Sequence, residues 1–182
     1  MTKAVLFCGM IFSSFVFGQF KLTPNNFVSE ENPEKDYIVL EFPEQNQKQL
    51  FDKTKTFIHS NFINLKSDGL NEVQYSHIKA RVNVGKTKIS TIFGCAGIGN
   101  FHGTIELFFK NGKIMIKPFY EKVTFERNGF KKVTLTGGNF ILKSIFNKKG
   151  EITGKCEHQD IEEMMNNFVK NLTKALNDKE DW

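Results

Sequence analysis

Arginine is nearly missing from this chain: Arg81 and Arg127 are the only two among 25 cationic side chains, and the other 23 are lysines. Guanidinium forks carry most bidentate recognition of phosphates and base edges. Their scarcity argues against nucleic acid as a partner. Long apolar runs are also absent, since no stretch reaches the roughly 20 residues that a membrane-spanning helix needs. There is no internal repeat and no low-complexity block. What remains is 182 residues, 40% hydrophobic and 25% charged, with 13% aromatics and a mild, diffuse net charge of +5. That profile describes one soluble globular domain with one core.

The N-terminus reads as a targeting segment. Lys3 precedes a 14-residue apolar run ending at Phe17, followed by the small residue Gly18 with Val16 two positions before it. The pattern is that of a secretory signal peptide over residues 1–18, with cleavage expected between Gly18 and Gln19. Cys8 invites a lipoprotein reading, but bulky Phe7 stands where a small residue should precede a lipidated cysteine. The expected location of the mature chain is therefore outside the cytoplasm, periplasmic or secreted, without a transmembrane helix.

Residues 19–36 hold Pro24, Asn25, Asn26, Asn32 and Pro33 with no apolar period, and read as an extended leader. A single domain over 37–178 and a polar tail over 179–182 follow. Ile38, Leu40 and Phe42 alternate as in a strand. Pro43 suits a helix first turn, and Leu50, Phe51, Thr54, Phe57, Ile58, Phe62 and Leu65 give a helical stripe that Gly69 ends. From Val73 the period becomes two, with Ile78, Ala80, Val82 and Val84 on one face and a phase change near Ser76 and His77 that predicts a bulge or bend. A turn is expected at 85–88, and a glycine-rich loop at 94–103. Asn111-Gly112 predicts a two-residue hairpin turn with positive φ at both positions, setting Lys110 opposite Lys113, Phe109 opposite Ile114, Leu107 opposite Ile116 and Glu106 opposite Lys117. Asn128-Gly129 offers a second hairpin, but a two-residue turn there mixes the faces by placing Phe125 opposite Lys132. Residues 136–154 are ambiguous between short strands and an excursion. A last helix is expected over 161–177, capped by Asp160 with Glu163 three residues on, with Ile161, Met164, Met165, Phe168, Leu172 and Leu176 as its stripe.

The order strand, helix, at least four hairpin-linked strands, helix predicts an α+β fold: a mostly antiparallel sheet with both helices on one face. In the Phe42-Pro43 approach to the early helix, the run through Gly103, Ile105, Leu107, Asn111-Gly112 and Ile114, and the helix from Ile161 to Leu176 followed by Asp181-Trp182, the chain resembles a family of small exported bacterial proteins classed as a domain of unknown function with a TBP-like fold. The resemblance implies the same element order. Its motifs are structural, and it implies no catalytic residue, cofactor or metal.

The residues themselves assemble no catalytic set. Gly85-Lys86-Thr87 lacks the first glycine of a phosphate loop, since Ala80 stands there, and reads as a hairpin turn. Gly97-Ile98-Gly99 with Gly103 lacks the third glycine of a dinucleotide fingerprint. Cys95 and Cys156 are a possible disulfide in an exported chain; the alternative is free thiols. Cys156-Glu157-His158 and the pair Cys95 and His102 put sulfur near imidazole, but His59 and His77 have no spacing that would gather a metal set. Lys79, Arg81, Lys86 and Lys88 read as the wet face of a strand pair with no aromatic platform among them. The expected function is a non-enzymatic binding or interaction domain of the cell envelope, its partner an unidentified envelope protein or small ligand, with a groove between the sheet and the last helix, beside 94–103 and Met164-Met165, as the place to look. The alternative is an envelope enzyme, hydrolase-like, working through the thiol of Cys95 or Cys156.

Overall fold

The computed structural model describes residues 18–62, 69–91, 93–126, 130–138 and 143–178. The proposed signal run before Gly18, Leu65, the Asn128-Gly129 turn and the polar tail lie outside them. Strands are β1 (Phe20–Thr23), β2 (Asn26–Ser29), β3 (Ile38–Glu41), β4 (Leu70–Val73), β5 (His77–Thr91), β6 (Gly94–Lys110), β7 (Lys113–Glu126), β8 (Phe130–Thr134) and β9 (Lys143–Ser144); helices are α1 (Gln47–Asn61) and α2 (Lys155–Asn177). The main sheet runs β4-β5-β6-β7-β8-β9, and β3 also pairs with β7. Every pairing is antiparallel except β8 with β9. The fold is α+β.

Strand alternation builds the core. Ile38, Ile116, Leu107 and Ile78 lie opposite one another across four strands, all buried. Phe57 and Ile58 of α1 and Phe168 and Leu172 of α2 share that cluster, so two amphipathic helices cover one side of the sheet. Edge-to-face contacts of Phe51 with Phe109 and of Phe57 with Phe168, at centroid separations of 5.3 and 5.8 Å, join helix to sheet and helix to helix.

Several boundaries differ from expectation, each for a local reason. Residues expected as a leader form the β1–β2 hairpin, with Phe20, Leu22 and Phe27 in the core. Helix α1 starts at Gln47 instead of near Pro43. Asn46 accepts from Gln49 N at 2.9 Å and Gln49 returns the bond to Asn46 N, a reciprocal cap, while the chain around Pro43 turns so that Phe42 N reaches Gly112 O. Helix α2 starts six residues before Ile161, and Asp160 lies inside it. Its carboxylate accepts from Lys88 N at 2.7 Å, so it caps nothing at its own helix end.

The expected turn at 85–88 and loop at 94–103 are parts of two long strands, with a register shift between Asn83 and Gly85 in place of a chain reversal. The phase change at Ser76 is the turn between β4 and β5, where Val73 faces His77. At the Asn111-Gly112 turn the expected pairings hold, but only Gly112 has positive φ, 72°. Asn111 is held from outside the turn, its side-chain oxygen accepting from Gln47 N at 3.0 Å. In the next hairpin Val123 faces Val133 and Phe125 faces Lys131, one register step from the two-residue arithmetic, which puts valine against valine.

Candidate functional site

Two regions carry the residues singled out from sequence. The first is the arm formed by the far ends of β5 and β6. Gly94–Ile98 pair with β5, and β7 joins β6 at Asn100, opposite Thr124. Cys95 lies opposite Ser90. Its sulfur is joined to that of Cys156 in the first turn of α2, with Cα atoms 6.0 Å apart. Beside this link Glu157 is fully buried. Its carboxylate accepts from Ser90 N at 3.0 Å, from Lys143 Nζ at 2.5 Å and from Ser90 Oγ. Ser90 Oγ in turn accepts from Cys156 N at 3.0 Å, and Ser90 O accepts from Lys143 Nζ. A buried carboxylate persists when its charge is matched and its lone pairs are met. This cluster meets both conditions and ties three elements together.

That arrangement leaves little scope for nucleophilic chemistry. Both sulfurs are spent on each other, and the serine hydroxyl already donates to a carboxylate. His158 does not address either cysteine: its Nε2 donates to Leu22 O at 3.0 Å and lies 3.6 Å from Glu162. His102 bonds Thr124 Oγ1 at 2.8 Å, and burial, assisted by the charge of Lys122, holds its pKa below the ordinary imidazole value. No group of three or more potential metal ligands occurs among the described residues.

Of the glycines in the expected loop at 94–103, Gly99 and Gly103 serve close packing, while Gly94 stands in open space. A Cβ on Gly99 would stand 2.6 Å from Val123 Cγ1 and 2.8 Å from Ile89 Cδ1. Met164 Sδ would lie 2.9 Å from a Cβ on Gly85, and Met165 is fully buried. The two methionines therefore seat α2 on the sheet and do not line a groove.

The second region is the sheet face opposite the helices. Positions alternating with the buried row form their own row across four strands: Val39, Met115, Phe108 and His77. Val39 is 45% exposed and the other three are half-buried. The His77 and Phe108 rings stack at 4.5 Å, and His77 Nε2 is buried without a hydrogen-bond partner. Beyond this strip come charges that satisfy one another. Lys79 pairs with Glu106 at 2.7 Å, Lys117 with Asp36 at 2.7 Å, and Arg81 with Glu121 at 3.5 Å. Lys117 also lies 5.3 Å from the Phe119 ring centroid. Aromatic residues do accompany the basic cluster, contrary to the reading along one strand, because they arrive from β6 and β7. The hairpin arithmetic already set Phe108 opposite Met115; His77 and Val39 joined them through pairings that no turn signal specifies.

No protein-family model matches the chain, and no curated protein sequence matches it. Among solved structures, a TBP-like protein from Parabacteroides distasonis ATCC 8503 superposes with a TM-score of 0.58 at 9% sequence identity, covering 79% of this chain and 92% of that one. The fold is TBP-like. A DUF4468 family protein from Bacteroides ovatus ATCC 8483 aligns at 12% identity over 80% of this chain and 87% of that one, with a TM-score of 0.49. Identity this low speaks to the fold alone. What a TBP-like fold supplies here is a sheet with one face shielded by helices and the other open.

Proposed function

We propose that the protein is exported and acts in the cell envelope as a non-enzymatic binding domain whose contact surface is the helix-free face of its TBP-like sheet. The observation that carries this reading is the strip of Val39, Met115, Phe108 and His77. It crosses four strands, hence about 15 Å at the usual spacing between strands, and it is framed by ion pairs closed among themselves. An apolar, aromatic centre within a polar rim is the anatomy of a protein–protein contact. A polyanion would find the neighbouring cations Lys79, Arg81 and Lys117 already matched by carboxylates, which favours a protein partner over nucleic acid.

A photo-crosslinking residue placed at Phe108 in living cells, with one at helix-side Lys53 as control, tests the surface. Adducts specific to position 108 are expected, and equal labelling at both positions overturns the assignment. Export is tested separately by sequencing the N-terminus of protein from the envelope or medium, where Gln19 should be first; an intact Met1 rejects it. The thiol-enzyme alternative predicts that Cys95→Ser with Cys156→Ser abolishes an activity, whereas a binding domain keeps its crosslinks if the double variant folds.

A further inference from the structure

The arm end of the same sheet face has the opposite electrostatic character from its β3 end. Lys86 lies opposite Asn100, Asn100 opposite Thr124, and Thr124 opposite Lys132, so Lys86 and Lys132 share a cross-strand row. Lys88 lies opposite Ile98, and Lys122 opposite His102. None of these four lysines makes an ion pair with a described residue, and Lys86, Lys88 and Lys132 are exposed. Of the carboxylates nearby, Asp160 accepts from Lys88 N and Glu121 is engaged by Arg81 and Thr104 Oγ1, while alternation places Glu126 opposite Phe130. Across residues 85–105, Lys86 and Lys88 are the only charged side chains apart from His102, whose pKa is lowered.

Between the lysines and the turn, the arm is apolar and bare. Phe93 at the tip is 93% exposed and Ile98 is 64% exposed. Gly94, Ala96 and Gly97 surround them with little side chain. Thr91 Oγ1 donates to Gly94 O at 2.8 Å and accepts from Phe93 N at 3.2 Å, which ties the two strand ends together. The link from Cys95 to Cys156 and the bonds from Ser90 to Glu157 hold the arm on α2 at the last strand pair but one before the turn. A phenylalanine and an isoleucine left in water near one strand end point to a contact beyond the chain itself.

We infer that the tip of the β5–β6 arm is an interfacial anchor for an anionic lipid bilayer, Phe93 and Ile98 entering the headgroup boundary while Lys86, Lys88, Lys122 and Lys132 meet lipid phosphates. Charge complementarity decides for this occupant: a small apolar tip alone binds a bilayer weakly, and a basic patch beside it adds the second attraction that reversible anchoring needs. This goes beyond the proposed function and does not depend on it, because it concerns a different part of the surface and is measured with lipid alone.

The test is co-sedimentation of the full mature chain with vesicles of phosphatidylglycerol mixed with phosphatidylcholine, and with phosphatidylcholine alone. Binding is expected to the anionic vesicles and to weaken steeply with salt. Phe93→Ser with Ile98→Ser should reduce it about tenfold or more. Lys86→Gln with Lys88→Gln should reduce it by a comparable factor, through the electrostatic part. All four positions are exposed, so both variants should keep the parent's melting temperature. In a Trp182→Phe background, Phe93→Trp should show a blue-shifted emission on anionic vesicles. No binding to either vesicle, binding indifferent to both double variants, or a dimer in sedimentation velocity that Phe93→Ser dissolves in the absence of lipid each overturns the assignment.

Discussion

Gly99 and Tyr120 show how far single residues are dictated by what lies across the sheet. Gly99 has ordinary strand geometry, so its need for glycine comes from the neighbours that a Cβ would strike, Val123, Ile89 and the carbonyl of Thr124. Gly99→Ala is expected to destabilise by about 1–3 kcal/mol through overpacking, read as a lowered urea midpoint with unchanged slope; an unchanged midpoint would show that β7 yields. Tyr120 is buried beneath Phe101, and its hydroxyl donates to Val133 O at 2.7 Å. Burial pushes its phenol well above the ordinary tyrosine value. The folded state thus resists ionisation that the unfolded chain undergoes near pH 10, and the stability this lends is complete below about pH 10 and lost as pH rises beyond it. Tyr120→Phe should flatten the alkaline loss of stability, while costing about 1 kcal/mol at neutral pH for the unmet Val133 carbonyl. Equal alkaline slopes in both proteins would contradict this assignment.

At the scale of elements, the β1–β2 hairpin is the part that periodicity could not reveal. Each strand has four residues, and together they bury only Phe20, Leu22 and Phe27 as large apolar groups. Its stability is borrowed from α2. His158, Glu162 and Asn166, spaced by four on one helix face, bond the backbone of Phe20 and Leu22. Asn166 alone takes Phe20 N at 2.8 Å and returns a bond to Phe20 O at 3.2 Å. Asn26, at φ 102°, bonds Tyr120 N and O on β7, between the stretch paired to β3 and the stretch paired to β8. A polar side chain thereby occupies a gap that a strand would otherwise fill. Asn166→Ala should cost about 1–3 kcal/mol and expose Lys21 to tryptic cleavage before the rest of the chain unfolds. Loss of stability without early cleavage at Lys21 would mean that the hairpin stays docked by other contacts. Where an element was long and its stripe wide, as in α1 and α2, its presence was legible from spacing. Its first turn was not: α1 begins at the reciprocal cap of Asn46 with Gln49 and not at Pro43, and α2 begins after Gly154, whose N–H donates to Ile145 O, while the expected cap Asp160 is taken up by Lys88 N.

Across the whole molecule, the pairing of Cys95 with Cys156 joins residues 61 apart in sequence and closes the arm onto the helix layer. In the loop-entropy account a loop of that length contributes about 4 kcal/mol, less any strain. Cys95→Ser with Cys156→Ser should therefore lower the thermal midpoint markedly, and a reductant should do the same to the parent but not to the variant. Full thiol labelling of both cysteines in denatured, unreduced protein would refute the bridge. The same scale separates the two ends of the open sheet face: at one end Lys79, Arg81, Lys113 and Lys117 each have a carboxylate beside them, and at the other the lysines stand together around an apolar tip.

Composition and local pattern by themselves determined the fold class, the existence of both helices and the register of the Asn111-Gly112 hairpin, because each rests on contacts between residues near in sequence or on a repeating apolar period. Tertiary structure alone decided that a proline- and asparagine-rich segment becomes a core hairpin, that a glycine-rich stretch is strand instead of loop, and that His77, Phe108, Met115 and Val39 form one surface. Those outcomes depend on hydrogen bonds and side-chain burial between segments far apart along the chain, whose partners no single window of residues contains.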